Sequence, residues 1–338
     1  MRNYAVITEV NNIDKNKWSE FVFDHLNGNI FQTPEMYEVY QNTKNYEPVF
    51  LAVVNNRDEI LGTLLAVIQK EYSGVLGNFT ARSIIQGGPL IKDDDPDVLS
   101  FMLKEYSEII KKKAIYSQFR NFWDWGDSKE IFITNGFEYE EHLNILINLT
   151  KSEEQLWKEV YSKRRNEVRR ATKEGAYFSI ENTEDSLKKC YGILQEVYKR
   201  AKLPIPDYHY FYNLYRMGSN SKLLIFCAYY ESEIIGCMLA LSYKDTIYDF
   251  YAGSMVKFYN KYPNDLIPWE VFKWGKENNY KVFDFGGAGK PDVSYGVRDY
   301  KKKFGGEFVN FGRYEKVHQP MIFEIAKVGF KLWQKIKK

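Results

Sequence analysis

Between Gly287 and Gly306 the chain reads Ala288-Gly289-Lys290-Pro291-Asp292-Val293-Ser294-Tyr295-Gly296-Val297-Arg298-Asp299-Tyr300-Lys301-Lys302-Lys303-Phe304-Gly305. Val297, Tyr300 and Phe304 fall at i, i+3 and i+7, which predicts a short helix with one buried stripe. Gly305 would stop it. Lys301 adjoins that stripe, so packing would fix its ammonium group. A lysine fixed at the edge of a cleft can stabilise an oxyanion or a phosphate. The same spacing also fits a solvated run of three lysines. A second basic segment runs from Lys163 to Lys173. It sets Arg165, Arg169 and Lys173 at i, i+4 and i+8 on an outer helix face, while Arg164 falls toward the buried side. That face suits a phosphate-rich partner such as RNA, or is plain solvated surface.

Other chemistries lack their residues. Asp284-Phe285-Gly286 spells the kinase tripeptide, but no glycine-rich nucleotide loop or His-Arg-Asp loop accompanies it. Neither G-x-x-x-x-G-K-[ST] nor G-x-S-x-G occurs. His25, His142, His209 and His318 are scattered, and Cys190, Cys227 and Cys237 form no C-x-x-C pair. No metal and no bound cofactor are therefore expected.

The elements that must position Lys301 announce themselves through a repeat. Glu59-Ile60-Leu61-Gly62-Thr63-Leu64-Leu65-Ala66 matches Glu233-Ile234-Ile235-Gly236-Cys237-Met238-Leu239-Ala240 at five of eight positions, each after an apolar strand and a polar turn. Both read as hairpins. Trp123-Asp124-Trp125-Gly126 and Phe283-Asp284-Phe285-Gly286 share the order aromatic, Asp, aromatic, Gly, each expected at a strand end. Helix starts are marked at Thr33-Pro34, Asp95-Pro96, Pro206-Asp207 and Pro268. Ser152 with Gln155 makes a capping box for a helix expected to run to about Gly175. The fold class implied is α+β: two copies of one unit, each a mostly antiparallel mixed sheet flanked by helices. The expected boundaries are 1–150, 151–316 and a basic amphipathic helix over 317–338.

Composition narrows the setting. The chain has 338 residues, 44% hydrophobic and 27% charged, which suits about two globular domains. Its net charge of +2 hides an asymmetry: −8 over residues 1–150 and +10 over 151–338. The second half is thus expected to meet something anionic. The 17% aromatic content suits a stacking groove or reflects codon bias alone. Unpaired cysteines point to a reducing compartment, and Met1-Arg2-Asn3-Tyr4 opens no secretory signal. A cytoplasmic protein is expected. In the tail, Lys327, Lys331 and Lys335 flank a broad apolar side, so residues 320–338 could lie on an anionic membrane face or dock on the protein's own core.

Taken together, the motifs resemble the Fem family of peptidyl transferases (FemA, FemB, FemX) and related GNAT-fold acyltransferases. The likeness covers residues 4–316. It is carried by Phe31-Gln32-Thr33-Pro34, by Gly87-Gly88-Pro89, and by Arg164-Arg165-Asn166-Glu167-Val168-Arg169-Arg170-Ala171 with Gly175. Phe283-Asp284-Phe285-Gly286-Gly287 and Val297-x-x-Tyr300-Lys301-x-x-Phe304-Gly305 carry it most specifically. The resemblance implies tandem GNAT-like domains. It implies transfer of an aminoacyl group from an aminoacyl-tRNA to an amine of a cell-envelope precursor, in peptidoglycan synthesis or a related pathway. It makes Lys301 the catalytic lysine, with Tyr300 beside it in place of the family's phenylalanine. Asp207, Tyr210, Tyr251, Asp284 and Arg298 are the expected substrate-binding residues, and Arg165, Arg169 and Lys173 the expected tRNA contacts. Pro206 stands where FemX-type members carry the arginine that grips the acceptor diphosphate. This opens the acceptor to lipid-linked precursors or a surface polysaccharide, and an acyl-CoA donor acting on an amino sugar is the alternative reading.

Overall fold

The computed structural model describes residues 4–71, 77, 79–218 and 222–325. Two compact units divide the chain: Met1–Glu141 with Phe311–Lys338, and His142–Asn310.

The first unit opens with β1 (Ala5–Ile7), β2 (Tyr46–Val54), β3 (Ile60–Gln69), β4 (Arg82–Gln86), β5 (Leu90–Ile91), β6 (Tyr116–Arg120) and β7 (Glu138–Glu140). The second holds β8 (Leu143–Asn148), β9 (Tyr177–Glu181), β10 (Lys222–Tyr230), β11 (Glu233–Tyr243), β12 (Thr246–Ser254), β13 (Val282–Gly287) and β14 (Glu307–Asn310). The last strand, β15 (Arg313–Val317), returns to the first unit. The sheets run β1-β2-β3-β4-β6-β15-β7, with β5 on β3, and β14-β8-β13-β12-β11-β10-β9. All neighbours are antiparallel except β4–β6 and β12–β13. This is the mixed α+β architecture expected from the repeat.

The repeat is real down to its register. Gly62 pairs with Val53 and Gly236 with Ala228, and a bulge follows each of those pairs. At Gly236 a side chain would strike Pro263, since a Cβ there would lie 2.8 Å from the proline ring. The two copies differ at their parallel pairs. In the first unit β4 and β6 stay paired for five residues, Arg82↔Tyr116 to Gln86↔Arg120. There Ser83 faces Ser117, and the buried Tyr106 hydroxyl bonds both side chains at 2.7 Å. In the second unit β12 and β13 pair only at Thr246↔Val282, Ile247↔Phe283 and Tyr248↔Asp284, then part. At that point Phe250 bulges out of the β11–β12 ladder, between the pairs Ala240↔Asp249 and Leu239↔Tyr251. A bulge re-aims the side chains next to it.

Several expected boundaries move. The strand expected before Thr150 to close the first domain instead enters the second sheet as β8, between β13 and β14. Its alternating apolar residues give no sign of which sheet they face. Conversely, β15 lies between β6 and β7, where Tyr314 stacks on Phe132 at 4.1 Å, so the second domain does not extend to residue 316. The helix begun by the Ser152–Gln155 capping box ends at Glu159, and a second helix spans Ser162–Lys173. Pro268 lies inside a helix that starts at Pro263. Residues 320–325 are helical, and the rest of the expected tail helix lies outside the described residues.

Candidate active site

Lys301 ends the helix Gly296–Lys301, and a 3-10 turn, Lys302–Phe304, follows it. Phe304 is fully buried against Phe272, Phe285 and Tyr300, so it plugs this element into the core of the second unit. Gly305, at φ +87°, turns the chain away, as its type implies. Val297, placed by its spacing on the buried stripe, is 41% exposed, because the helix is too short to cover its first turn.

The break between the helices Glu153–Glu159 and Ser162–Lys173 holds the same turn. Tyr161 N donates to Lys303 O at 2.9 Å. An unbroken helix would have kept that amide for itself. From the second helix, Arg164 reaches Asp265 and, at 3.0 Å, Glu167, while its guanidinium stands 5.4 Å over the Tyr300 ring. The Tyr300 hydroxyl donates to Asn264 O. Burial pushes that hydroxyl far above its usual range, with the Asp265 and Asp249 charges adding to the effect. Tyr300 therefore anchors the helix, and its proton is committed to a backbone carbonyl.

The ammonium of Lys301 donates to Phe285 O and, at 3.1 Å, to Gly287 O. These carbonyls flank Gly286 at the end of β13, just where β13 has left β12. A Cβ at Gly286 would lie 3.8 Å from Asp249 O, so β13 still passes close to β12 after their pairing ends. Burial pulls the Lys301 ammonium below its usual pKa, against the pull of Asp249 and Asp284. Two bonds to carbonyls leave a third N–H direction for another acceptor.

Two carboxylates share this field. Asp284 is 6% exposed and accepts from Gly286 N at 2.7 Å and from the Asn144 side chain. Burial raises it to about 6, while the Gly286 bond and Lys301 hold it down. Asp249, beside the Phe250 bulge, is also raised to about 6 by burial and by Asp284, with Lys301 opposing. Its charge in turn adds to the burial that lifts the Tyr198 hydroxyl to about 12. The first unit has the same Asp-x-Gly turn, for Asp124 accepts from Gly126 N at 2.9 Å. There the carboxylate is at the surface and pairs with Lys129 at 2.8 Å. The repeat thus carries one local turn, and the second copy faces it with a half-buried lysine bonded to the strand-end carbonyls.

The sequence-derived residues divide accordingly. Lys301 and Asp284 come together where β12 and β13 part. Arg298 donates to the carbonyls of Ala288, Lys290 and Val293, so it organises the loop before its own helix. Asp207 caps the helix Tyr208–Tyr215 by accepting from Tyr210 N, and the Tyr210 ring is buried beside Phe211 and Phe250. Tyr251 packs against Tyr198 and Phe211. Arg169 and Lys173 line a groove with Trp157 and Trp269, and Arg165 is half-buried on the same helix. Asp249 is absent from the sequence-derived set. Its signal was an ionisable residue inside the aromatic strand Tyr248-Asp249-Phe250-Tyr251. Among the described residues, no three His, Cys, Asp or Glu side chains cluster as a metal site.

Comparison with known proteins fits this geometry. Residues 161–302 match the acetyltransferase (GNAT) domain family. No curated protein matches the chain. Among solved structures it is similar to FemX, with 16% identity over 95% of this chain and all of that one, at a TM-score of 0.72. It is similar to L-PGS from Bacillus licheniformis, with 16% identity over 93% of this chain and 96% of that one, at a TM-score of 0.58. A tandem GNAT protein of the clavulanic acid biosynthesis pathway shares 7% identity over 94% of this chain and 99% of its own, at a TM-score of 0.60. The chain therefore has a tandem GNAT-like fold, similar to that of FemX, with an acyltransferase (GNAT) domain over residues 161–302.

Proposed function

We propose that the second unit transfers an aminoacyl group from an aminoacyl-tRNA to an amine of a cell-envelope precursor. One observation carries this reading: Lys301, half-buried and held by Phe285 O and Gly287 O where β13 leaves β12, has a third N–H to offer an oxygen. In such a transfer the acceptor amine attacks the ester carbonyl, the new C–N bond forms, and the C–O bond to the ribose breaks. Negative charge grows on the carbonyl oxygen and then on the departing ribose oxygen. An ammonium placed there stabilises both in a site with little water. The amine must also lose a proton, which Asp249, raised to about 6, is suited to receive and the departing ribose oxygen takes up as it becomes a hydroxyl. Asp284 keeps the Gly286 turn in place and holds Lys301 cationic. Holding donor and acceptor together supplies the remaining acceleration without a covalent enzyme intermediate.

The net charge of +10 on residues 151–338 supports a polyanionic donor. No described helix is long and apolar enough to cross a membrane, so a lipid-linked acceptor would be met at the surface. The test mixes the full chain with a charged tRNA pool and extracted muropeptide and lipid-linked precursors, with CoA thioesters in a parallel arm. Discharge of the tRNA with a matching mass gain on one precursor is the expected result. Turnover in the CoA arm alone would replace this donor with an acyl-CoA.

A further inference from the structure

The helices Glu153–Glu159, Ser162–Lys173 and Pro263–Glu277 line an open groove of about 750 Å³ in the second unit. Its aromatic side is Trp157 and Trp269, whose rings lie 4.4 Å apart at 52°. Trp269 is almost wholly buried, so Trp157 offers the larger face. The Arg169 guanidinium stands 5.2 Å over Trp157, and Lys173 follows one helical turn later. Of the three acidic groups on the rim, Glu154 is paired with Lys158 and Glu270 with Lys273, each at 2.7 Å, while Glu153 is exposed to solvent. A tryptophan capped by a planar cation, with a second cation beside it, is chemistry for a base and its phosphates.

We infer that this groove seats the single-stranded 3′ end of an RNA, with a base stacked on Trp157 and Arg169 and backbone phosphates on Arg169 and Lys173. The inference rests on the reading of the donor as an aminoacyl-tRNA and places that donor's terminal nucleotides. The helix Ser162–Lys173 links the two sites. At one end Arg164 packs over Tyr300, the neighbour of Lys301, and at the other Arg169 and Lys173 line the groove. From residue 164 to residue 173 the helix rises about 13 Å, a span of a few nucleotides. A groove of this volume has room for a nucleotide or two.

The experiment uses the full chain and two RNA hairpins that differ only in a single-stranded 3′-CCA tail. Tryptophan fluorescence follows binding at two salt concentrations, and discharge of charged tRNA is measured alongside. The tailed hairpin should quench fluorescence and bind more tightly than the blunt one. Trp157→Leu should weaken the tailed hairpin about tenfold and leave the blunt one unchanged. Arg169→Ala with Lys173→Ala should lower the salt slope by about 1.4, the value for two phosphate contacts on a single strand. Both variants should raise KM for charged tRNA and keep kcat at saturation, which general damage to the fold would not do. Arg169→Glu, on an exposed position, replaces Trp157→Leu if the latter does not fold. Equal affinity for the two hairpins, or unchanged affinity in the variants, would overturn the groove assignment while wild-type discharge upholds the donor. Absence of both binding and discharge would overturn the two together.

Discussion

Lys301 differs from its neighbours Lys302 and Lys303 in what surrounds it. Lys302 pairs with Asp299 at the surface, whereas Lys301 gives two of its protons to strand-end carbonyls. Lys301→Ala should therefore lower kcat by about 10²–10³, the usual cost of one oxyanion donor, with little change in thermal stability. Single-turnover discharge of charged tRNA measures it. Asp249 and Asp284 set a pH dependence of opposite sign for rate and stability. Both carboxyls are raised in the folded chain, from 3.8 to about 6. Stability tied to them is thus fully present below about pH 4 and is lost as pH rises through about 6. A two-unit shift corresponds to about 3 kcal/mol per site. Asp249→Asn should raise the Tm at pH 7.5 and leave it unchanged near pH 4, while turnover falls. In the wild type, kcat/KM should rise through about pH 6 as Asp249 ionises. A pH-independent Tm difference between the two proteins would count against this assignment.

At the scale of elements, the site is a short helix pinned from three sides. Arg164 and Asp265 tie the helices Ser162–Lys173 and Pro263–Glu277 together beneath Tyr300, and Tyr161 N holds the turn after Lys301. Asp265→Asn leaves the half-buried Arg164 guanidinium with Glu167 alone and should cost about 1.5–3 kcal/mol, read from urea unfolding. Tyr300→Phe removes only the bond to Asn264 O, costs about 1 kcal/mol, and should lower kcat more than it lowers stability. The hairpins were legible because Gly62 and Gly236 recur with the same neighbours, and the structure gives them the same register. Lys301 was legible through Phe304, whose burial its spacing announced. Asp249 was not, since nothing local reveals that β12 and β13 part at Tyr248. Nor was the break at Tyr161, because the partner that rewards it, Lys303 O, lies far along the chain. Periodicity reports one element's faces, and both of these depend on where another element ends.

Across the whole molecule, one architecture appears twice and only one copy opens its parallel pair. In the first unit Tyr106, Ser83 and Ser117 zip β4 to β6, and His318 bonds Ser117 at 2.7 Å. The fragment His142–Asn310 contains every strand of its own sheet, so it should fold alone and keep a cooperative thermal transition. A chain ending at Asn310 should instead lose order in its first 141 residues, because β6 and β7 would lack the strand between them. Limited proteolysis of the two fragments checks both outcomes. The return of β15 also orders events during synthesis. The half that leaves the ribosome first must wait, with a slot in its sheet, for a strand made after every strand of the later half. Translation therefore supplies every strand of the second unit before the first unit has its full set, and a stall between β14 and β15 would leave the older sibling alone with an unfilled slot.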